Sequence, residues 1–201
     1  MPEEEERDND EKAKSKYSNR EIVNGYIENE VFERLNLKTT SIEVVIDKTG
    51  TNVNTELFDR GEYVFSVKEK NREYSALSGI KIKLFYLNQS AKKGFTEQMG
   101  IPSVRYGSVF VYKNGFRIYP YGNPEDDFFE INKRKAQGYS RYLGTREIIG
   151  RISIECDDEH FVETSSRAFG FIKSEELAQL EKFFVERVLK ILILKINIFL
   201  N

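Results

Sequence analysis

Gly107–Tyr121 reads GSVFVYKNGFRIYPY, and this stretch decides the fold class. Val109 to Tyr112 forms one short apolar run, and Phe116, Ile118 and Tyr119 belong to the next. Asn114-Gly115 lies between them. A tight two-residue hairpin needs positive φ at both central positions, which Asn and Gly tolerate best. The stretch is therefore a β-hairpin, closed by the Tyr121–Pro124 turn YGNP.

Other strands follow upstream. Ile42, Val44 and Ile46 alternate with polar residues before the Lys48-Thr49-Gly50 turn. Thr55–Arg60 is a short run ending at Gly61, and Glu62–Lys68 reads as a strand. Ile80–Leu87, IKIKLFYL, alternates at first and then becomes apolar on both faces, as a strand entering the core does. Asn88–Met99 is a polar connection with room for a short helix. Downstream, Ile148–Ile154 is a strand with Gly150 inside it, which suggests a bulge or the close approach of another backbone.

Helical spacing appears in three places. Asn19–Leu35 carries apolar residues three and four apart. Asn132 is positioned to cap a basic helix over Lys133–Leu143 that stops at Gly144. Ser174 precedes a helix over Glu175–Leu189 whose apolar stripe includes Leu177, Leu180, Phe183, Phe184 and Val188. Together these predict an α+β fold: a curved, mostly antiparallel or mixed sheet, with the helices from Asn132 and Ser174 packed on one face.

The chain has 201 residues, enough for one domain with extensions. Charged residues make up 32% and the net charge is −2, so no whole-molecule attraction to nucleic acid or anionic membrane is expected. The charge is uneven. Met1–Glu11 is strongly acidic, whereas Lys133–Arg151 carries six cations against the single acid Glu147. The single cysteine, Cys156, excludes an internal disulfide and fits a reducing, cytoplasmic compartment. A single histidine, His160, argues against a histidine-based metal site. Val188–Leu200 is apolar, but it is short and broken by Lys190, Lys195 and Asn197, so it falls below the ~20 residues of a bilayer span.

Little catalytic chemistry is visible in residue types. Asp126-Asp127 and Asp157-Asp158-Glu159 lack the spacing of a calcium loop and read as solvated loop acids. There is no G-x-S-x-G elbow, no Walker A sequence and no G-x-G-x-x-G. Cys156, at a strand end, reads as a small buried residue. The basic segment with Tyr139 and Tyr142 offers cations for phosphate and rings for stacking, so a nucleic-acid-binding face over Lys133–Arg151 stands as one function class. A solvated helix face, or a face turned to a neighbouring phosphate-holding domain, fits the same residues. Ser165-Ser166-Arg167 reads in two ways: a guanidinium placed for a γ-phosphate, or a surface arginine paired with Glu163.

Three segments carry a resemblance. YGSVFVYKNGFRIYPYG, RKAQGYSRYLGTREIIGRISI and FVETSSR together resemble the second half of bacterial ATP-binding proteins of the GHKL superfamily. That superfamily includes gyrase, the ninety-kilodalton heat-shock chaperones, the MutL mismatch-repair proteins and the microrchidia ATPases. The resemblance spans about Glu28 to Leu189. It implies a transducer domain whose fold is similar to domain two of the small-subunit ribosomal protein S-five. Such a domain follows an ATP-binding domain and lends one Lys or Arg to the γ-phosphate of ATP held there with Mg²⁺. In the heat-shock chaperones that residue is the Arg of an Ile-Ser-Arg step after a strand and loop. Ser166-Arg167, following the Ile148–Ile154 strand, matches that step. The resemblance thus implies Arg167 as the catalytic cation and Ser165 and Ser166 as its neighbours at the nucleotide.

The superfamily's nucleotide pocket has a helix with Glu and Asn four residues apart, an Asp-x-Gly-x-Gly loop and a Gly-rich lid. Glu28, Asn29 and Glu30 do not follow that pattern, and Asp47–Thr51 lacks the second Gly. The expected partner is therefore a GHKL ATP-binding domain, missing from a truncated product or carried on a separate chain, with homodimerisation also compatible and no membrane partner. By itself such a chain is expected to be inactive, and a fragment without independent activity is a further reading. The expected organisation is an acidic disordered leader over 1–17, the transducer-like domain over 18–190 and an apolar tail over 191–201, the last an abnormal end.

Overall fold

The computed structural model describes residues 39–138, 143–164 and 170–200, without the side chains of Gln98 and of residues 198–200. The acidic leader and the helix expected over Asn19–Leu35 lie outside the described residues, as do Tyr139, Arg141 and Tyr142.

Seven strands form one mixed sheet: β1 Thr40–Ile46, β2 Asn52–Asp59, β3 Glu62–Lys70, β4 Ile80–Tyr86, β5 Val109–Lys113, β6 Phe116–Ile118 and β7 Ile148–Ile154. Their order across the sheet is β3-β2-β1-β4-β7-β5-β6. All neighbours are antiparallel except β5 and β7, which run parallel. The protein is thus α+β, as expected. The β5–β6 hairpin is as the sequence predicts, with Asn114 at φ 49 and Gly115 at φ 86. A second turn of the same hand joins β2 to β3, and here a non-glycine, Arg60, takes φ 51 ahead of Gly61.

One face of the sheet carries the larger core. Ile42, Val44 and Ile46 of β1 alternate inward, with Ile82 and Leu84 from β4 and Ile152 and Ile154 from β7. Helix α4, Glu175–Phe183, lies against them and begins at Ser174, whose side chain accepts from the Leu177 amide. A π-helical segment, Phe184–Leu189, leads into α5, Lys190–Leu200. The buried residues step by three through Leu177, Leu180 and Phe183, then by four through Phe184, Val188, Leu192 and Ile196. A step of three drifts one way around a helix and a step of four the other, so the stripe stays on the sheet. The apolar tail is therefore the continuing end of this helix, with Leu192 fully buried. Among the described residues no helix is long and apolar enough to cross a membrane.

Helices are not confined to that face. Helix α1, Gln89–Met99, and the single turn α2, Ser103–Tyr106, cover part of the opposite one. Phe85, Phe110 and Ile149 point there and are buried with Phe95 of α1. Tyr106 bridges Phe95 and Phe110 through two edge-to-face contacts. The central strands carry large apolar residues on both sides, so both sides need cover. Asn88 caps α1 by accepting from the Ala91 amide. Gly150 marks the close approach of another backbone, the second of the two meanings its place in the strand suggested: a Cβ there would stand 2.2 Å from the Lys83 carbonyl oxygen.

The basic helix differs from expectation at both ends. Helix α3 spans Ile131–Gln137 and ends at Gly138, ahead of the predicted Leu143. Asn132 is not its cap. Glu130 holds that position at φ 52, and the Asp127 carboxylate accepts from the Asn132 and Lys133 amides at 2.9 and 3.2 Å. Asn132 instead brackets Thr145, accepting from its amide at 3.0 Å and donating to its hydroxyl at 2.9 Å. A carboxylate at a helix start satisfies orphan amides and complements the helix dipole, which explains the exchange.

Candidate functional site

The candidate site lies beyond the end of β7. Ser165, Ser166 and Arg167 fall outside the described residues, and so does the pairing of Arg167 with Glu163. Their frame on both sides is described.

The frame starts at the β5–β6 turn. The Asn114 amide donates to the Ile154 carbonyl at 2.8 Å. Its side chain then grips the next backbone step, donating to the Cys156 carbonyl at 2.8 Å and accepting from the Cys156 amide at 3.1 Å. Beside it Lys113 is only 8% exposed. Its ammonium donates to the carbonyls of Asp158 and Phe161 at 3.5 and 3.4 Å. A buried cation needs such acceptors, so Lys113 fixes the acidic loop as a strut. Burial pushes the pKa of the Cys156 thiol up, which disfavours its thiolate. It is half-buried, where the sequence suggested a small buried residue.

The chain then narrows to a neck. Glu163 and Phe171 form an isolated antiparallel bridge. The Thr164 amide donates to the Gly170 carbonyl at 2.8 Å, and the Ile172 amide donates to the Val162 carbonyl at 2.8 Å. Residues 165–169, which join these two legs in sequence, lie outside the described residues. Tyr121 supports the neck from below: its hydroxyl accepts from the Phe171 amide at 2.9 Å. Its ring packs against Phe128 and Phe171 at centroid separations of 4.7 and 5.5 Å. Gly170, at φ 66, permits this approach, since a Cβ would sit 2.5 Å from the tyrosine oxygen.

No protein-family model and no curated protein matches this chain. Its geometry therefore carries the functional reading beside the residues themselves.

The acidic pairs are not equivalent. Asp126 is not the solvated acid that the sequence suggested. Its two oxygens accept from the Gly122 and Phe128 amides at 2.9 and 3.1 Å. Burial raises its pKa despite those bonds. Asp157, Asp158 and Glu159 lie on the acidic loop that Lys113 braces, and all three are exposed, as expected of solvated acids. Among the described residues no three His, Cys, Asp or Glu side chains gather as a metal site. His160 faces Glu176 at 3.1 Å through its ring, and its backbone carbonyl accepts from the Cys156 thiol at 3.6 Å.

The basic stretch is partly neutralised within the fold. Lys133 pairs with Glu130. Lys135 meets Glu147 at 2.6 Å, with both side chains largely buried. Burial pushes Glu147 up, but the bonds from Lys135 and the Gly144 amide, with the charges of Lys135 and Lys92, outweigh it and hold the carboxyl below its ordinary value. A nucleic-acid face thus loses two of its cations to internal partners. Arg134 lines a shallow cleft with Phe128, Phe129, Glu181 and Val185. Its Nε is buried without a hydrogen-bond partner. Burial, then the charge of Glu130, raises Glu181 across that cleft.

Sequence reading missed Lys113, Tyr121 and Gly170 as supports. Their roles come from contacts between distant residues. The only local signal was a lone glycine between two aromatics, Phe169-Gly170-Phe171, which is indistinguishable from an ordinary loop.

Proposed function

We propose that this chain is the transducer half of a GHKL-type ATPase, and that Arg167 is the cation it delivers to the γ-phosphate of ATP bound by a neighbouring ATP-binding domain. The observation that carries the reading is the neck at Glu163–Phe171, whose described legs flank residues 165–169 in sequence. Those five residues contain the Ser-Ser-Arg step of the sequence resemblance. A cation on a loop with fixed ends loses less conformational entropy when it meets a phosphate.

The finer fold assignment, a transducer similar to domain two of ribosomal protein S-five, belongs to the same proposal. The parallel β5–β7 pair supports it, with α3 in the crossover and α4 following β7 onto the larger core.

In this reading ATP is the substrate of the neighbouring domain, which also holds its Mg²⁺. Arg167 offers a planar, always-charged fork to the γ-phosphate oxygens and stabilises charge that develops on them during transfer. Hydrolysis removes that partner, so the loop has different contacts in the ATP and ADP states. The rigid neck couples this difference to the sheet through Tyr121 and the strut formed by Lys113 and Asn114. Ser165 and Ser166 stand beside the phosphate as hydroxyl or amide donors.

The test joins this chain to a GHKL ATP-binding domain that lacks its own transducer and measures ATP turnover. The reading expects turnover to rise on joining. An unchanged rate with both parts folded overturns it.

A further inference from the structure

The cleft that Arg134 lines has a volume of about 320 Å³, the size of a small-molecule site. Ala178, Glu181 and Val185 line it from the C-terminal helix, three and four residues apart along one helix face. Phe128 and Phe129, just ahead of α3, form its apolar part. Both rings are held by the core. Phe128 packs against Tyr121 at 4.7 Å between centroids, and Phe129 against Phe184 at 4.3 Å. Three carboxylates and two cations line the same cleft, and three of these five groups have partners. Glu130 pairs with Lys133. Lys182 and Glu186 lie 3.9 Å apart, and Glu186 also accepts from the Tyr74 hydroxyl at 2.8 Å. The side chains of Arg134 and Glu181 have no hydrogen bond or ion pair among the described residues, not even with each other. Of the Arg134 nitrogens only Nε is buried, so the terminal pair is open to a ligand. A half-buried guanidinium without an acceptor costs stability, and an acceptor from outside the chain recovers it.

We propose that this cleft binds a free α-amino acid with an apolar side chain. The two unpartnered groups choose that ligand. A simple anion suits Arg134 but is repelled by the carboxylates around it, and a simple cation suits Glu181 but is repelled by the guanidinium. A zwitterion answers both. Its carboxylate takes the terminal nitrogens of Arg134, whose planar fork matches two carboxylate oxygens. Its ammonium takes the Glu181 carboxylate. Burial and the charge of Glu130 raise the pKa of that carboxylate, and an adjacent ammonium offsets both. The side chain of the ligand lies on Phe128, Phe129 and Val185, so an apolar residue is preferred over a polar one.

The experiment is isothermal titration calorimetry of the full chain with L-leucine and L-phenylalanine, and with the N-acetyl and amide forms of each. The acetyl group removes the ammonium, and the amide removes the carboxylate. At least one free amino acid is expected to bind with a dissociation constant below about 1 mM. Each of its blocked forms is expected to bind about tenfold more weakly or worse. Arg134→Met keeps the apolar stem and removes the fork. It is expected to lose about tenfold in affinity for the free amino acid and no longer to distinguish it from the amide. Glu181→Gln keeps the shape and removes the charge. It is expected to lose about as much and no longer to distinguish the free amino acid from its N-acetyl form. Circular dichroism verifies that both variants remain folded. Absence of saturable binding of either free amino acid to the unaltered chain up to about 10 mM overturns the proposal. So do blocked forms that bind as tightly as their parent, or folded variants that bind like the unaltered chain.

Discussion

The hydroxyl of Tyr121 accepts a hydrogen bond from the amide of Phe171 at 2.9 Å, joining the turn after β6 to the neck that flanks residues 165–169 in sequence. The amide is buried, so losing its acceptor leaves an unsatisfied donor. Tyr121→Phe keeps the ring contacts with Phe128 and Phe171 and removes only the oxygen. It is expected to cost about 1–3 kcal/mol. Urea unfolding measures that loss, and limited proteolysis reports whether cleavage moves to residues 164–170. Unchanged stability would mean that the neck does not depend on this bond.

Two glycines separate backbone necessity from tolerance. Gly150→Ala drives a methyl group to 2.2 Å from the Lys83 carbonyl oxygen, between two strands that cannot move apart without breaking the ladder. A loss on the scale of severe overpacking is expected, about 3 kcal/mol or more. Gly94 lies in α1, and a methyl group added there would meet nothing within 4 Å. Gly94→Ala is expected to stabilise by about 0.5–1 kcal/mol through helix propensity. Thermal melts of both variants provide the comparison.

Glu147 determines part of the acid limb of stability. Its folded-state pKa lies below the ordinary 4.5. Such a carboxylate contributes stability that is fully present above the ordinary value and is lost as pH falls through the lowered folded value. Glu147→Gln is expected to be about 1–2 kcal/mol less stable at neutral pH, because Lys135 and the Gly144 amide lose a charged acceptor. The difference from the unaltered protein should shrink as pH falls below the ordinary carboxylate range. Urea titrations at a series of pH values test this, and a gap that stays constant into acid would refute the assignment.

Arg134 is expected to contribute little to folding. Its buried Nε lacks an acceptor. Arg134→Met retains the apolar stem and removes the unsatisfied donor. It is expected to be neutral or to stabilise by up to about 1 kcal/mol. A loss exceeding about 1 kcal/mol in denaturant unfolding would show that the guanidinium is satisfied in solution.

The legible parts of this fold are those encoded by neighbours in sequence. Asn114-Gly115 predicts its hairpin because both φ angles are set locally. Ile42, Val44 and Ile46 predict an inward face by alternation. Gly150 signals either a bulge or the close approach of another backbone, and only its contact with β4 decides between them. The illegible parts depend on residues distant in sequence. Asn132 has the chemistry of a cap, but Asp127 is better placed to accept from the first amides of α3. Asp126 reads as solvated in sequence because nothing local shows that the chain folds back over it. At the candidate site, the Ser-Ser-Arg step can be singled out from its motif. The support from Lys113, Asn114 and Tyr121 cannot, because those contacts span roughly forty to fifty residues.

The central claim concerns Arg167, and ATP turnover in the joined ATPase tests it most directly. Arg167→Ala and Arg167→Lys are measured beside the unaltered sequence, with folding checked by circular dichroism. The alanine variant is expected to bind ATP but to turn it over about a hundredfold more slowly, as follows from the loss of one transition-state donor worth about 3 kcal/mol. Partial recovery is expected with lysine, which retains the charge and loses the fork. Turnover by Arg167→Ala equal to that of the unaltered, folded protein would contradict the claim.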